Sequence, residues 1–209
     1  IGNMEMQVKL FEAQQKEARV TAFNLIETQG INPFQLPPEV TTQIGMDGMT
    51  SLMNYWEKRQ AGEDIETDPT FLYDMRRYAA TDPENFAKED LWLIFDQLGK
   101  EDRKELTKLQ TDFLSDPDAG KAKAINITSA FSQSSSALEA VGLTTAGKTG
   151  TDREETARRI ALFQNALALE MQAFQQANEN RPPNQMEIQS MINRLLLPVV
   201  MKQERSIWN

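Results

Sequence analysis

The chain of 209 residues contains no cysteine and no histidine. Without cysteine there is neither a disulfide frame nor a thiolate site, and the redox compartment leaves no trace in the sequence. Without histidine the usual general base and the commonest zinc ligand disappear together, and with them every Cys/His or Ser/His/Asp arrangement for nucleophilic catalysis. The remaining catalytic vocabulary is carboxylate, lysine, tyrosine and hydroxyl. Long apolar runs are lacking too. The strongest, Leu195-Leu196-Leu197-Pro198-Val199-Val200-Met201, falls far short of the roughly 20 residues that cross a bilayer, so no transmembrane helix is encoded in this segment. Positive charge is outnumbered: 22 basic residues against 31 acidic ones give a net charge of -9, which opposes binding to a phosphate backbone. The densest basic groups, Arg76-Arg77, Lys121 with Lys123 and Arg158-Arg159, have no interleaved aromatics on which single-stranded bases would stack. The chain opens on Ile1-Gly2-Asn3, without an initiator methionine or a basic-then-apolar leader, which reads as a fragment or a processed segment.

What is present is helical punctuation. Asp-Pro recurs at 68–69, 82–83 and 116–117, where the aspartate can cap free amides and the proline fits a first helical position. Apolar residues at Met4, Val8, Phe11, Ala18, Ala22 and Leu25, interrupted only by Gln15, follow the three- and four-residue steps of one helix face from about 3 to 29. Gly30 ends it, and Asn32-Pro33 with Pro37-Pro38 forms an elbow. A second helix from about 38 to 61 carries Val40, Ile44, Met49, Leu52 and Trp56; Gly45 and Gly48 inside it each cost about 1 kcal/mol relative to alanine. An acidic linker leads to a helix running to about Ala80. A second short helix from Asp82-Pro83 continues through Phe86, Leu91, Ile94 and Leu98 to Gly99, and a third with the stripe Leu106, Leu109 and Phe113 ends at Ser115-Asp116-Pro117.

Residues 118–150 are rich in Ala, Ser, Thr, Lys and Gly, with a thinly apolar helix over roughly 121–140 and a mobile connection at 142–150. Thr151-Asp152-Arg153-Glu154 is a capping box before a long helix with Ile160, Phe163, Leu167, Met171 and Phe174 on one face. Asn184-Gln185-Met186-Glu187 opens a last helix that Pro198 should break. The expectation is an all-α fold, a multi-helix array of about seven to nine helices with short Asp-Pro and Gly punctuated connections. Its blocks are 1–62 (long helix and helical hairpin), 63–117 (compact aromatic-rich core), 118–150 (Ala/Ser/Thr-rich helix and flexible linker) and 151–209 (C-terminal helical hairpin and tail).

Several patterns tempt a chemical reading. Gly142-Leu143-Thr144-Thr145-Ala146-Gly147-Lys148-Thr149 satisfies the phosphate-binding loop letter for letter. That loop works when a buried strand feeds it and a helix starts at its Lys-Thr end. Here a helical stretch precedes it, the next helix is expected only from about Thr151, and Leu91-Trp92-Leu93-Ile94-Phe95-Asp96, the only apolar run ending in aspartate, lies upstream and reads as helix. Asp64, Glu66 and Asp68 alternate as calcium ligands do, but Pro69 and Met75 stand where the loop needs glycine and a bidentate glutamate. Met46, Met49 and Met53 read as packing rather than a soft-metal box. Tyr55, Trp56, Phe71, Tyr73, Tyr78, Phe86, Trp92 and Phe95 read as the main core. Asn126-Ile127-Thr128 matches a glycosylation acceptor with no secretory signal behind it. No carboxylate pair stands out for glycoside cleavage. No residue is therefore assigned a catalytic, cofactor-binding or metal-binding role, and the faces of the first helix and of the helix after Thr151 suit self-association as well as internal bundling.

The run Thr67-Asp68-Pro69-Thr70-Phe71-Leu72-Tyr73 through Asp82-Pro83-Glu84-Asn85-Phe86-Ala87, Asp90-Leu91 and Glu105-Leu106-Thr107-Lys108-Leu109-Gln110 resembles the helical regions of large internal virion proteins of tailed phages. So do Ala137-Leu138-Glu139-Ala140-Val141-Gly142-Leu143, the helix with Phe163, Asn180-Arg181-Pro182-Pro183, and the closing Glu187-Ile188-Gln189-Ser190-Met191-Ile192 with Leu195-Leu196. The resemblance spans roughly 67–197, while 1–66 adds a compatible long helix. It is to the ejection proteins of short-tailed phages, which leave the capsid ahead of the genome and build a conduit across the host envelope. It implies a structural, non-enzymatic role in the virion and then in the host cell envelope. The implied partners are further copies of the chain in a homo-oligomer and other ejection, portal or tail proteins, with genomic DNA only in passage and without sequence-specific binding. An acidic lumen would suit that passage. Some ejection proteins carry a peptidoglycan-cleaving domain elsewhere in a longer chain; nothing here matches its catalytic glutamate. The other class left open is a non-enzymatic helical adaptor that binds another virion or cellular protein.

Overall fold

A computed structural model describes the backbone of residues 2–207, with side chains from 4–124 and 126–198. Ile1 and the last two residues of the expected tail lie outside the described residues. Among the described residues the chain is all-helical and no strand occurs. The α-helices are α1 (Gly2–Gln29), α2 (Pro38–Gln60), α3 (Pro69–Thr81), α4 (Pro83–Phe86), α5 (Lys100–Ser115), α6 (Pro117–Ala140), α7 (Gly150–Ala177) and α8 (Gln185–Ile207), with 3₁₀ segments at Pro33–Gln35 and Leu91–Gln97. The Asp-Pro signals act as expected. Asp68 accepts from the Thr70 and Phe71 amides at 2.9 and 3.1 Å, Asp82 from Asn85 at 3.3 Å and Asp116 from Ala119 at 3.0 Å, each followed by a proline whose missing N–H costs the first turn nothing.

The chain divides into two compact units, each assembled from two stretches of sequence: 1–67 with 89–107, and 68–88 with 108–209. The expected 63–117 block is thus shared between them, and so is its aromatic set. In the first unit α1 packs on α2, and the Leu91–Gln97 3₁₀ helix packs on both. Ala18 and Ala22 present small side chains to the interface and are buried, which lets the two backbones approach. Gly45 takes φ +72° and kinks α2, a conformation only glycine adopts at little cost. The Ile44 carbonyl accepts from Arg19 Nε at 2.9 Å, and Gly48 leaves the space through which the Arg19 side chain passes to pair with Asp90. The glycines that weaken α2 as a helix are what admit a cation from α1. Asp96 ties the 3₁₀ helix to α2 by accepting from Ser51 and Asn54 at 3.3 and 3.2 Å.

In the second unit α3 packs on α6 and α7, and α8 packs on both of the latter. The core gathers Ala130, Leu138, Phe163, Leu167, Met171, Ile188, Met191 and Ile192, largely the stripes expected of α7 and α8. Inside it lies a buried amide, Gln164. It accepts from Ser134 at 2.7 Å and donates to Ser135 at 3.2 Å and to the Phe131 carbonyl at 3.4 Å. Beside it Arg76 donates to Asn165 at 2.8 Å, and Asn165 donates to the Pro69 carbonyl at 2.8 Å. Buried polar groups survive only when paired, and these pairs join α3, α6 and α7 in one register.

Four local expectations are corrected. The helix expected from Asp82 to Gly99 is only the short α4, and the apolar stretch after it is a 3₁₀ helix. The N-cap of α7 is Thr149, not Thr151, and α7 starts at Gly150, so the Thr151/Glu154 box lies inside the helix. Pro198 does not end α8, which continues to Ile207; proline forfeits one backbone bond, and a helix already under way can kink past it. On α2, Ile44 and Leu52 are buried as expected, with Gly48, Ser51 and Tyr55 beside them, while Met46, expected to pack, is 85% exposed. By contrast, the Asn184/Glu187 box forms as written, with reciprocal amide bonds of 3.0 and 2.7 Å.

Candidate functional site

The phosphate-loop pattern is taken apart by its surroundings. Gly142, at φ +78°, closes α6: its amide donates to Glu139 and the Leu143 amide to Leu138, both at 2.9 Å. This is the paired 5→2 and 6→1 arrangement of a glycine stop, with Leu143 packed on the core beside Leu138. The segment is therefore fed by a helix end. Lys148 sits two residues before α7, one residue closer to the helix than the spacing suggests. Its ammonium donates to Thr156 Oγ1 at 2.8 Å and lies 3.9 Å from Asp152, folded along its own helix rather than reaching across a loop.

The other sequence candidates also find structural partners. Asp68 caps α3 and pairs with Arg158 at 3.2 Å. Among the described residues no group of three or more acidic side chains is placed to hold a metal ion. Asn126 donates its amide to the Pro183 carbonyl at 3.0 Å. The aromatic set does not gather in one place: Phe23 meets Tyr55, Trp92 and Phe95, while Tyr73 pairs with Phe131 and Tyr78 with Phe86.

The first unit's aromatic cluster surrounds a residue that sequence reasoning missed. The Arg103 guanidinium lies 4.9 Å from the Tyr55 ring, 5.1 Å from Phe23 and 5.7 Å from Phe95, a desolvated cation on π faces. Its Nη2 is 3.3 Å from Glu27, which also accepts from the Tyr55 hydroxyl and pairs with Arg59 at 3.1 Å. Burial draws the Arg103 pKa down, and Glu27 acts against that shift. The cluster forms one wall of a broad cleft of about 650 Å³ rimmed by 63–67 and 99–102. Gly99 is required there, since a Cβ would stand 2.9 Å from the Ile65 carbonyl oxygen. Glu27, Glu63, Asp64, Glu66, Glu101 and Asp102 face Arg59, Lys100 and Arg103 around it. An acidic, open cleft whose carboxylate Glu27 is fully engaged holds α1, α2 and the start of α5 together, and on its rim the Thr67 hydroxyl donates to Asp102 and accepts from the Gly99 amide at 2.7 Å.

The feature that no internal partner explains is the first half of α1. Residues 4–14 are all exposed, and Met4, Met6, Val8, Leu10 and Phe11 are 52–74% exposed. The Met4-Val8-Phe11 line continues the face that is buried from Ala18 onward, but here nothing covers it. Its signal was present in the sequence as an unbroken stripe; its exposure was not, because a stripe has the same spacing whether its partner is in the same chain or another. Scans against protein-family models, curated proteins and solved structures find no match.

Proposed function

We propose that this chain is a structural, non-enzymatic segment of a phage DNA-ejection (internal core) protein that self-associates to form part of a conduit for genome delivery across the host envelope. Two things support the reading: the resemblance over 67–197, and the bare apolar stretch of α1. The second carries the self-association. Five large apolar side chains left in water within about two turns of one helix are the kind of clustered apolar exposure that marks a contact surface. In this role the chain resides in the virion, works in the host envelope beside other ejection, portal or tail proteins, and lets DNA pass without sequence preference, a passage that its net charge of -9 keeps from sticking.

Sedimentation velocity of the purified chain over a wide concentration range tests this. Growth of discrete larger species is expected; a strict monomer at every concentration refutes it. Imaging those species by cryo-EM should show a lumen that is not strongly basic. ATP and GTP titrations of wild type and Lys148→Ala should show no binding in either, and binding lost in the variant would overturn the non-enzymatic role. A second reading, a helical adaptor for another virion or cellular protein, is favoured by Leu162 and Leu169, which stand half-exposed seven residues apart on α7; the monomeric outcome selects it.

A further inference from the structure

The exposed part of α1 has two apolar faces. At 3.6 residues per turn, Met4, Val8 and Phe11 lie on one side and Met6, Leu10 and Ala13 on the other, their centres roughly 200° apart. One edge between them is neutral, with Gln7 and Gln14. The other is charged, and its charges are sorted: Glu5 and Glu12 lie toward the Met4 face, Lys9 and Lys16 toward the Met6 face. We propose that residues 4–14 are a self-association arm in which the Met4-Val8-Phe11 face of one copy packs, parallel and side by side, on the Met6-Leu10-Ala13 face of a second copy.

This inference rests on the self-association reading and adds to it the surface, the orientation and the open-ended character of the contact. Three observations select a second copy in this pose. Charge comes first: packing unlike faces in parallel sets Glu5 and Glu12 of one arm beside Lys9 of the next, whereas packing the Met4 faces together sets the glutamates against glutamates when antiparallel and against Gln7 and Gln14 when parallel, with no cation opposite them in either pose. Lys16 already leans on the Glu89 carbonyl at 3.4 Å, so Lys9 is the principal cation. Shape comes second, with Phe11 and Met4 offered to a face that includes the small Ala13. Area is third. A dimer through the Met4 faces alone would bury on the order of 700 Å², below what a stable interface needs, and would leave Met6 and Leu10 in water. Because the two faces are nearly opposite, each arm takes a neighbour on both sides, and unlike-face contacts of this kind propagate into a ring or a filament.

The test uses the full 209-residue chain, with circular dichroism to verify that each variant keeps the wild-type melt, as substitutions confined to an exposed arm should. Phe11→Glu should weaken self-association about a hundredfold by sedimentation velocity. Lys9→Glu alone, and Glu5→Lys with Glu12→Lys alone, should each weaken it about fivefold. Mixing the two charge variants should restore wild-type assembly, because every contact in an alternating array again pairs opposite charges. If the mixture fails to recover, or Lys9→Glu assembles like wild type, the unlike-face packing is wrong. Assembly that survives Phe11→Glu removes the arm while leaving self-association standing, and a chain that never assembles removes both.

Discussion

Gly48→Ala is the substitution for which two physical rules give opposite signs. Helix propensity predicts a gain of about 1 kcal/mol for alanine in a helix interior. The structure predicts a loss. A Cβ on Gly48 would stand 2.7 Å from Arg19 Nε and 3.3 Å from its Cγ and Cδ. A free arginine would swing aside, but this one is held at both ends, by the Ile44 carbonyl at 2.9 Å and by Asp90, with the Arg19 and Asp90 side chains only 11% and 20% exposed. Moving it forfeits at least one charge-assisted hydrogen bond, about 1.5–3 kcal/mol, so the net expectation is destabilisation by about 0.5–2 kcal/mol. The assay is urea unfolding followed through Trp56 and Trp92, both in the first unit, in a Trp208→Phe background. In an Arg19→Ala background the clash is gone, and Gly48→Ala should then stabilise by about 1 kcal/mol. A single variant as stable as its parent, or one whose effect is unchanged when Arg19 is removed, would refute the claim that Gly48 exists to admit Arg19.

Two further predictions concern the second unit. Gln164 is fully buried among Ser134, Ser135 and the Phe131 carbonyl, so Gln164→Ala should cost about 2–4 kcal/mol in thermal or urea unfolding, whereas Gln164→Met, which keeps the volume while Ser134 stays bonded to Phe131, should cost less than about 1.5 kcal/mol. For Asp112, partial burial pushes the carboxyl up, but hydrogen bonds from Lys123 and Lys108 at 2.8 and 2.9 Å more than offset it and leave the pKa below its ordinary value. A lowered carboxylate contributes stability that is present above its unfolded pKa and lost as pH falls through the folded one. Wild type should therefore exceed Asp112→Asn by about 0.5–1.5 kcal/mol at pH 7, and the gap should close on acidification below about pH 4; a gap that persists at pH 2 would contradict the ion-pair origin.

What was legible in the sequence was local chemistry. The three Asp-Pro caps, the Gly30 stop and the Asn184/Glu187 box are each decided within a few residues, and they appear where the spacing placed them. The stripe of α7 and α8 was legible for the same reason. Whatever depended on distant partners was not. Arg19 and Arg103 drew no assignment from the sequence, because nothing near them in the chain announces Asp90, Glu27 or a wall of aromatic rings. The aromatic-rich middle read as one core because proximity in sequence stood in for proximity in space. On α2 the burial of Ile44 and Leu52 was legible, whereas that of Gly48 and Ser51 was not, because it depends on Arg19 and Asp96 from distant parts of the chain. For the candidate contact surface, the apolar residues of α1 were visible but their partner was not, since internal and external packing write the same pattern.

The two discontinuous units have a consequence for the order in which the chain can be finished. As it leaves the ribosome, α3 and α4 emerge before residues 89–107, the last piece the first unit needs, and before α6 and α7, against which α3 packs. The first unit must therefore close around a looped-out segment still waiting for its own partners. A nascent or truncated product stopping near residue 107 would display the inner face of α3 to the cell, so the interval of synthesis between there and the end of α7 is when this protein is most in need of a chaperone.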